Sequence, residues 1–160
     1  MPSDSVPAPV PAPSYSERLW PSPWIWLVVV GMSMAGILIL APISVLAGYI
    51  AASALFVLMA VLLIISTPLI EVTGRDLQVG RAHIERTFVG QVGAFRADEA
   101  TAERGVRLNG LAYMCLRGWI GPVVKIEITD PADRTPYWLT STRRPEQLAA
   151  ALAAPVDAAP

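Results

Sequence analysis

Between Arg18 and Glu71 the chain runs for 52 residues without an Asp, Glu, Lys, Arg or His. Nothing else in the sequence constrains the fold as strongly. At a 1.5 Å rise, about 20 apolar residues cross about 30 Å of hydrocarbon, so this run is too long for one buried core helix and fits two membrane spans. The charge deficit is local: 16% of the 160 residues are charged and 54% hydrophobic, against about 25% and about 45–50% in an ordinary soluble domain. A fully soluble protein and a disordered chain are thereby excluded. A net charge of −1 also excludes nucleic-acid binding driven by bulk charge.

The run divides at Pro42, Ser44 and Gly48, residues that punctuate helices. The spans are expected over about 24–41 and 46–66, giving a two-helix transmembrane hairpin within 19–67. Trp20, Trp24 and Trp26 stand at its entry, where indoles favour the headgroup layer and act as membrane-interface anchors. Arg18 precedes the spans and Arg75, Arg81 and Arg86 follow them, while the turn carries no Lys or Arg. The positive-inside rule places both termini in the cytoplasm and makes this a two-span protein of the cell membrane. Gly31 with Ala35, and Gly48 with Ala52, are small pairs four residues apart. They suit packing within the hairpin or homo-oligomerisation. No ionisable Asp, Glu, Lys, Arg or His lies in the spans, which argues against a proton relay or transport site.

Residues 1–18 carry five prolines among small and polar residues. They are expected to form a disordered Pro/Ala-rich tail. A proline-reading domain could bind it, but no PxxP with a flanking base supports that. The acidic Asp4 and Glu17 and a run that continues into a second span favour an uncleaved anchor over a signal peptide.

Residues 68–154 are the only other segment large enough to fold, with 155–160 a second disordered tail. The segment holds eleven Lys plus Arg and ten Asp plus Glu. Period-two alternation marks strands at Leu69–Thr73, Leu77–Val79, Ala82–Arg86, Phe88–Phe95, Leu111–Leu116, Val123–Thr129 and Tyr137–Thr142. Within Phe88–Phe95, Val92 has the opposite parity to Val89 and Phe95, so burying all three requires a bulge near Gly90 or Gly93. Asp98–Arg104 suits a short helix, and Asn109-Gly110 is the strongest turn signal. Pro145–Leu152 opens with proline and Glu146 and places Leu148 and Leu152 on one face, as an amphipathic helix does. The expected domain is α+β: six or seven antiparallel strands curled into a partial barrel with a C-terminal helix. That order, with Tyr137–Leu148 as last strand, turn and helix start, resembles the pleckstrin-homology-like domains of bacterial membrane proteins.

A wider resemblance covers Tyr15 to Leu152. Tyr15-Ser16-Glu17-Arg18-Leu19-Trp20-Pro21 leads into the hairpin. Val79-Gly80-Arg81-Ala82, Cys115-Leu116-Arg117-Gly118-Trp119-Ile120, Thr129-Asp130-Pro131-Ala132-Asp133 and Pro136-Tyr137-Trp138 follow, with Ser141-Thr142-Arg143-Arg144-Pro145-Glu146 after them. Together these resemble the actinobacterial membrane-protein family known as domain of unknown function 3093. The resemblance implies a two-helix membrane protein and no activity.

Catalytic chemistry is not legible. The single Cys115 and single His83 exclude a disulfide framework and multi-Cys or His-pair metal sites. Cys115 reads as a small buried hydrophobe, and a Cys115–His83 dyad has no local support. Asp98-Glu99 reads as a helix start and Asp130/Asp133 as turn formers. No phosphate-binding glycine loop occurs. No catalytic residue, cofactor or metal is expected. Arg117, Trp119, Lys125, Arg143 and Arg144 form the candidate interaction surface, with Trp119 in a Gly/Pro-bounded hairpin loop. Three roles follow: a non-enzymatic protein displaying its domain for a protein partner or self-assembly, a sensor of anionic lipid headgroups, or an accessory subunit of a membrane enzyme.

Overall fold

The computed structural model describes residues 13–156. Strand β1 (Tyr15–Arg18) precedes helices α1 (Pro23–Leu40) and α2 (Val45–Ile65). Strands β2 (Leu69–Val72), β3 (Asp76–Val79) and β4 (Ala82–Glu85) follow, then a 3-10 turn at Arg86–Phe88 and β5 (Val89–Phe95). Helix α3 (Ala97–Arg104), strands β6 (Tyr113–Cys115), β7 (Val123–Ile128) and β8 (Tyr137–Ser141), and helix α4 (Pro145–Ala153) complete the chain.

Helices α1 and α2 pack on each other as the uncharged run requires, within a residue of the expected spans. Both are long and apolar enough to cross a membrane, and only 11% of the most apolar window of each is buried. A soluble domain's core helix would be covered; here Leu27, Leu38, Ile50, Leu58 and Ile65 stand exposed. Gly36 and Gly48 make the close approach possible. A Cβ on Gly36 would meet the Ala52 backbone at 3.2 Å, and one on Gly48 would meet Ile37 Cα at 3.2 Å. Gly31 faces open space. Proline at the start of α1 and the Ser44 hydroxyl, accepting the Ala47 N–H, set the helix starts.

The remaining strands form two four-stranded sheets, β1-β2-β3-β4 and β5-β7-β8-β6. Two expectations are corrected here. The tail does not extend to residue 18: Tyr15–Arg18 pairs antiparallel with Leu69–Val72. No proline lies between Pro13 and Pro21, so the N–H groups of residues 14–18 are free to join a ladder. Residues 1–12 and 157–160 of the expected tails lie outside the described residues. Residues 68–154 hold seven strands, one on each expected segment, but they are not all antiparallel, because β6 runs parallel to β8. The two sheets share no strand among the described residues, so no barrel closes.

The main core lies between the sheets, built from Ile70, Val72, Leu77 and Val79 on one side and Val124, Ile126 and Trp138 on the other. Leu148 and Leu152 of α4 complete it, as their spacing requires. A smaller cluster of Ala100, Val123, Tyr137 and Leu139 covers the opposite face of the second sheet. Strand β8 is therefore buried along its whole length. The bulge in β5 is present: the register shifts between Val89 and Val92, and the Gln91 N–H donates to Glu127 Oε2 at 3.0 Å. Val89 and Val92 pack on the main core and Phe95 on the smaller cluster.

Candidate functional site

Strand β1 carries a carboxylate inward. Glu17 is 6% exposed, and its Oε2 accepts the Tyr15 hydroxyl and the Thr142 hydroxyl, both at 2.5 Å. Its Oε1 accepts the Arg143 N–H at 3.0 Å. Three donors satisfy the charge, as a buried carboxylate requires. Burial first, and the Glu17 hydrogen bond second, push the Tyr15 hydroxyl up to about 12, so Tyr15 stays a neutral donor. Arg144 lies over the Tyr15 ring, 5.1 Å from its centroid, and donates to the Ser16 carbonyl at 3.0 Å.

Around this lock the basic residues grip the base of the hairpin. Arg143 Nη2 donates to the Trp20 carbonyl at 2.6 Å, and Trp119 Nε1 donates to the same oxygen at 3.1 Å. Arg117 donates to the Ser66 carbonyl at the end of α2. That carbonyl lies at the negative end of a helix dipole, where a cation is favourable. The domain is thus fastened to both strands of chain that enter and leave the hairpin.

These contacts revise the expected interaction surface. Arg117, Trp119, Arg143 and Arg144 do come together, and each also bonds a carbonyl within the chain, while Arg143 and Arg144 stay exposed. Lys125 does not join them. It bonds Glu103 at 3.0 Å and lies 4.4 Å from the Tyr137 ring centroid, on the outer face of the second sheet. Burial raises the Glu103 carboxyl, but hydrogen bonds from Lys125 and Arg107 outweigh it and hold the group below its ordinary value. The loop holding Trp119 is not a hairpin, because β6 and β7 are not neighbours. It folds back, with Ile120 buried and its carbonyl bound by Arg104 at 2.7 Å. Trp20 and Trp24 are exposed and Trp26 is half-buried at the entry of α1.

Arg86 is also not a free surface base. It is 4% exposed, and its guanidinium donates to the carbonyls of Thr73, Gly74, Ala151, Leu152 and Ala154. It caps the C-terminal end of α4 and ties that helix to the β2–β3 turn.

A cleft of about 450 Å³ lies beside the clasp, between the end of α2, the Gly80-Arg81 turn and β6. Ile65, Leu69 and Met114 supply apolar wall, and Arg81 and Arg117 supply charge; no acidic residue lines it. Gly80, at φ 62°, makes the two-residue β3–β4 turn that places Arg81 at the rim. Arg81 is exposed and has no hydrogen-bond or ion-pair partner among the described residues. In the sequence Arg81 bears on orientation and on the Val79–Ala82 motif, and Glu17 falls within the expected tail, but neither marks a site. The alternation of Tyr15-Ser16-Glu17-Arg18 and the Gly80 turn were the available signals. Cys115 lines the same cleft but is buried, and burial pushes its thiol up despite the nearby Arg117 charge. His83 is exposed on β4, 3.5 Å from Asp76 Oδ1. No hydrogen bond among the described residues links it to Cys115. Among the described residues no three His, Cys, Asp or Glu side chains gather as metal donors.

No curated protein and no solved structure matches the chain significantly. A family model described as protein of unknown function (DUF3093) matches residues 14–152, a stretch that takes in the hairpin, both sheets and nearly all of α4. The chain belongs to the DUF3093 family.

Proposed function

We propose that this chain is a non-enzymatic, two-span protein of the cell membrane that holds a small domain at a fixed attitude on the cytoplasmic surface and presents it to a protein partner or a second copy. The observation that carries this reading is the clasp of Arg117, Trp119 and Arg143 on the Trp20 and Ser66 carbonyls. A domain fastened in this way is preorganised, which lowers the ordering cost of binding. Helix lengths of about 27 Å and about 32 Å at 1.5 Å per residue support spanning. The exposed Trp20 and Trp24 suit the headgroup layer, and the Arg residues flanking the hairpin support cytoplasmic ends.

The surface that suits a partner is the outer edge of β4. This strand ends its sheet, buries Ile84 and exposes His83 and Glu85. Strand addition to such an edge is a common recognition mode. Two packed sheets capped by α4 support kinship of plan with pleckstrin-homology-like domains, from which the parallel β6–β8 pair departs.

A photo-crosslinking amino acid placed at His83 in the full chain, in native membranes, tests the reading. A stoichiometric adduct to one protein or to a second copy is expected. Adducts to lipid alone, or none, would contradict it.

A further inference from the structure

We infer that the cleft between the end of α2, the Gly80-Arg81 turn and β6 is a seat for the headgroup of an anionic phospholipid. The inference rests on the reading of α1 and α2 as membrane spans and is otherwise independent of the partner surface on β4. Four observations meet in the cleft. Its volume of about 450 Å³ lies within the 300–1,000 Å³ typical of sites for small ligands. Its charged lining is entirely basic, Arg81 and Arg117. Arg81 is unpartnered among the described residues, and Arg117 spends only two of its five N–H donors, on the carbonyls of Leu116 and Ser66. The apolar wall begins at Ile65, the last residue of α2, which is exposed.

That arrangement fits an amphiphile better than a free ion. A phosphate between Arg81 and Arg117 would have its acyl chains beside Ile65, continuing along the apolar surface of α2. Met114, exposed on the edge strand β6, offers the flexible contact at the boundary. The negative end of the α2 dipole would otherwise repel an anion here, but Arg117 already covers the Ser66 carbonyl. Lys125, Arg143 and Arg144 take no part, since the cleft does not include them.

The test uses the full chain in nanodiscs and in mixed micelles. Incorporation into nanodiscs is measured first; a chain that fails to incorporate contradicts the spanning reading itself. The protein is then equilibrated with equal amounts of phosphatidylglycerol and phosphatidylcholine and its retained lipids are read by native mass spectrometry. Preferential retention of phosphatidylglycerol is expected, falling about fivefold in Arg81→Gln, the factor one basic residue near a membrane surface contributes. Arg75→Gln, on the β2–β3 turn outside the cleft, is expected to retain the wild-type preference. Met114→Glu, which adds a negative charge to an exposed position, is expected to lower retention without involving the clasp. Equal retention of both lipids, an unchanged preference in Arg81→Gln and Met114→Glu, a peptide in place of lipid, or displacement by millimolar inorganic phosphate would each overturn the inference.

Discussion

The Glu17 carboxylate accepts the Thr142 hydroxyl at 2.5 Å, joining the first strand to the end of the last across most of the chain. The same carboxylate takes the Tyr15 hydroxyl and the Arg143 N–H. Glu17→Gln replaces a triple acceptor with a group that turns one donor toward other donors. A loss of about 1.5–3 kcal/mol is expected, the worth of a hydrogen bond to a charged group. Thermal unfolding of the full chain in detergent checks it, with Glu71→Gln, only half-buried on β2, as the neutral comparison.

Arg86 sits in a cage of five carbonyls and closes α4 onto the β2–β3 turn. Arg86→Ala is expected to loosen residues 145–154 before the sheets, at a cost of about 2–4 kcal/mol, in the range for breaking a buried hydrogen-bond network. Hydrogen exchange should show lost protection in α4 with β7 and β8 still protected. Arg86→Lys has three donors at one point and is expected to rescue only part of the loss.

Gly36 and Gly48 lie where the hairpin helices touch, and Gly31 does not. Gly48→Val is expected to force α1 and α2 apart and lower thermal stability, because the obstructing atoms are backbone. Gly31→Val is expected to leave the hairpin intact. If Gly31→Val instead abolishes self-association in membranes, the open face around Gly31 is an assembly face.

Glu146 and Tyr15 illustrate the expected pH response at its acid and alkaline ends. The Glu146 carboxyl is held down to about 2, chiefly by the Arg96 guanidinium at 2.6 Å. Its contribution is present above the ordinary carboxylate range and is lost as pH falls toward 2; both side chains are exposed, so it is small and weakens further with salt. Tyr15 works in the opposite direction. Its raised value means stability is full below pH 10 and declines between about 10 and 12, as the unfolded chain loses the proton first. Chemical denaturation across pH is expected to show a shallower alkaline decline in Tyr15→Phe and a shallower acid decline in Glu146→Gln.

Cys115 is buried with its thiol pushed up, so little thiolate exists near neutrality. Maleimide labelling of the folded chain at pH 7 is expected to be slower than that of the denatured chain by about tenfold or more. Rapid labelling would mean an accessible, activated thiol and would revive a catalytic role for it.

Much of this architecture was legible from pattern. The uncharged run locates both helices, the alternation of Val123–Ile128 places Val124, Ile126 and Ile128 in the core, and the parity of Val92 foretells the β5 bulge. What escaped had physical reasons. An inward carboxylate at Glu17 breaks the apolar alternation that marks a strand, so β1 reads as tail. Strand β6 has only three residues, too few for its pattern to tell a parallel neighbour from an antiparallel one. Arginines near the end of the chain read as a solvent-facing patch, because sequence spacing cannot show that their donors reach the Trp20, Ser66 and Ser16 carbonyls. Arg81 was hidden for the converse reason: its significance lies in having no partner beside a cleft that only the fold creates.

Through that clasp the domain and hairpin are expected to move as one rigid unit. A spin-label pair at Ile43, exposed in the hairpin turn, and His83, exposed on β4, measures it in nanodiscs with Cys115 replaced by Ala. One narrow distance distribution is expected, broadening when Arg117, Trp119 and Arg143 are replaced together by Gln, Phe and Gln. A broad distribution in the chain with its clasp intact would contradict the account.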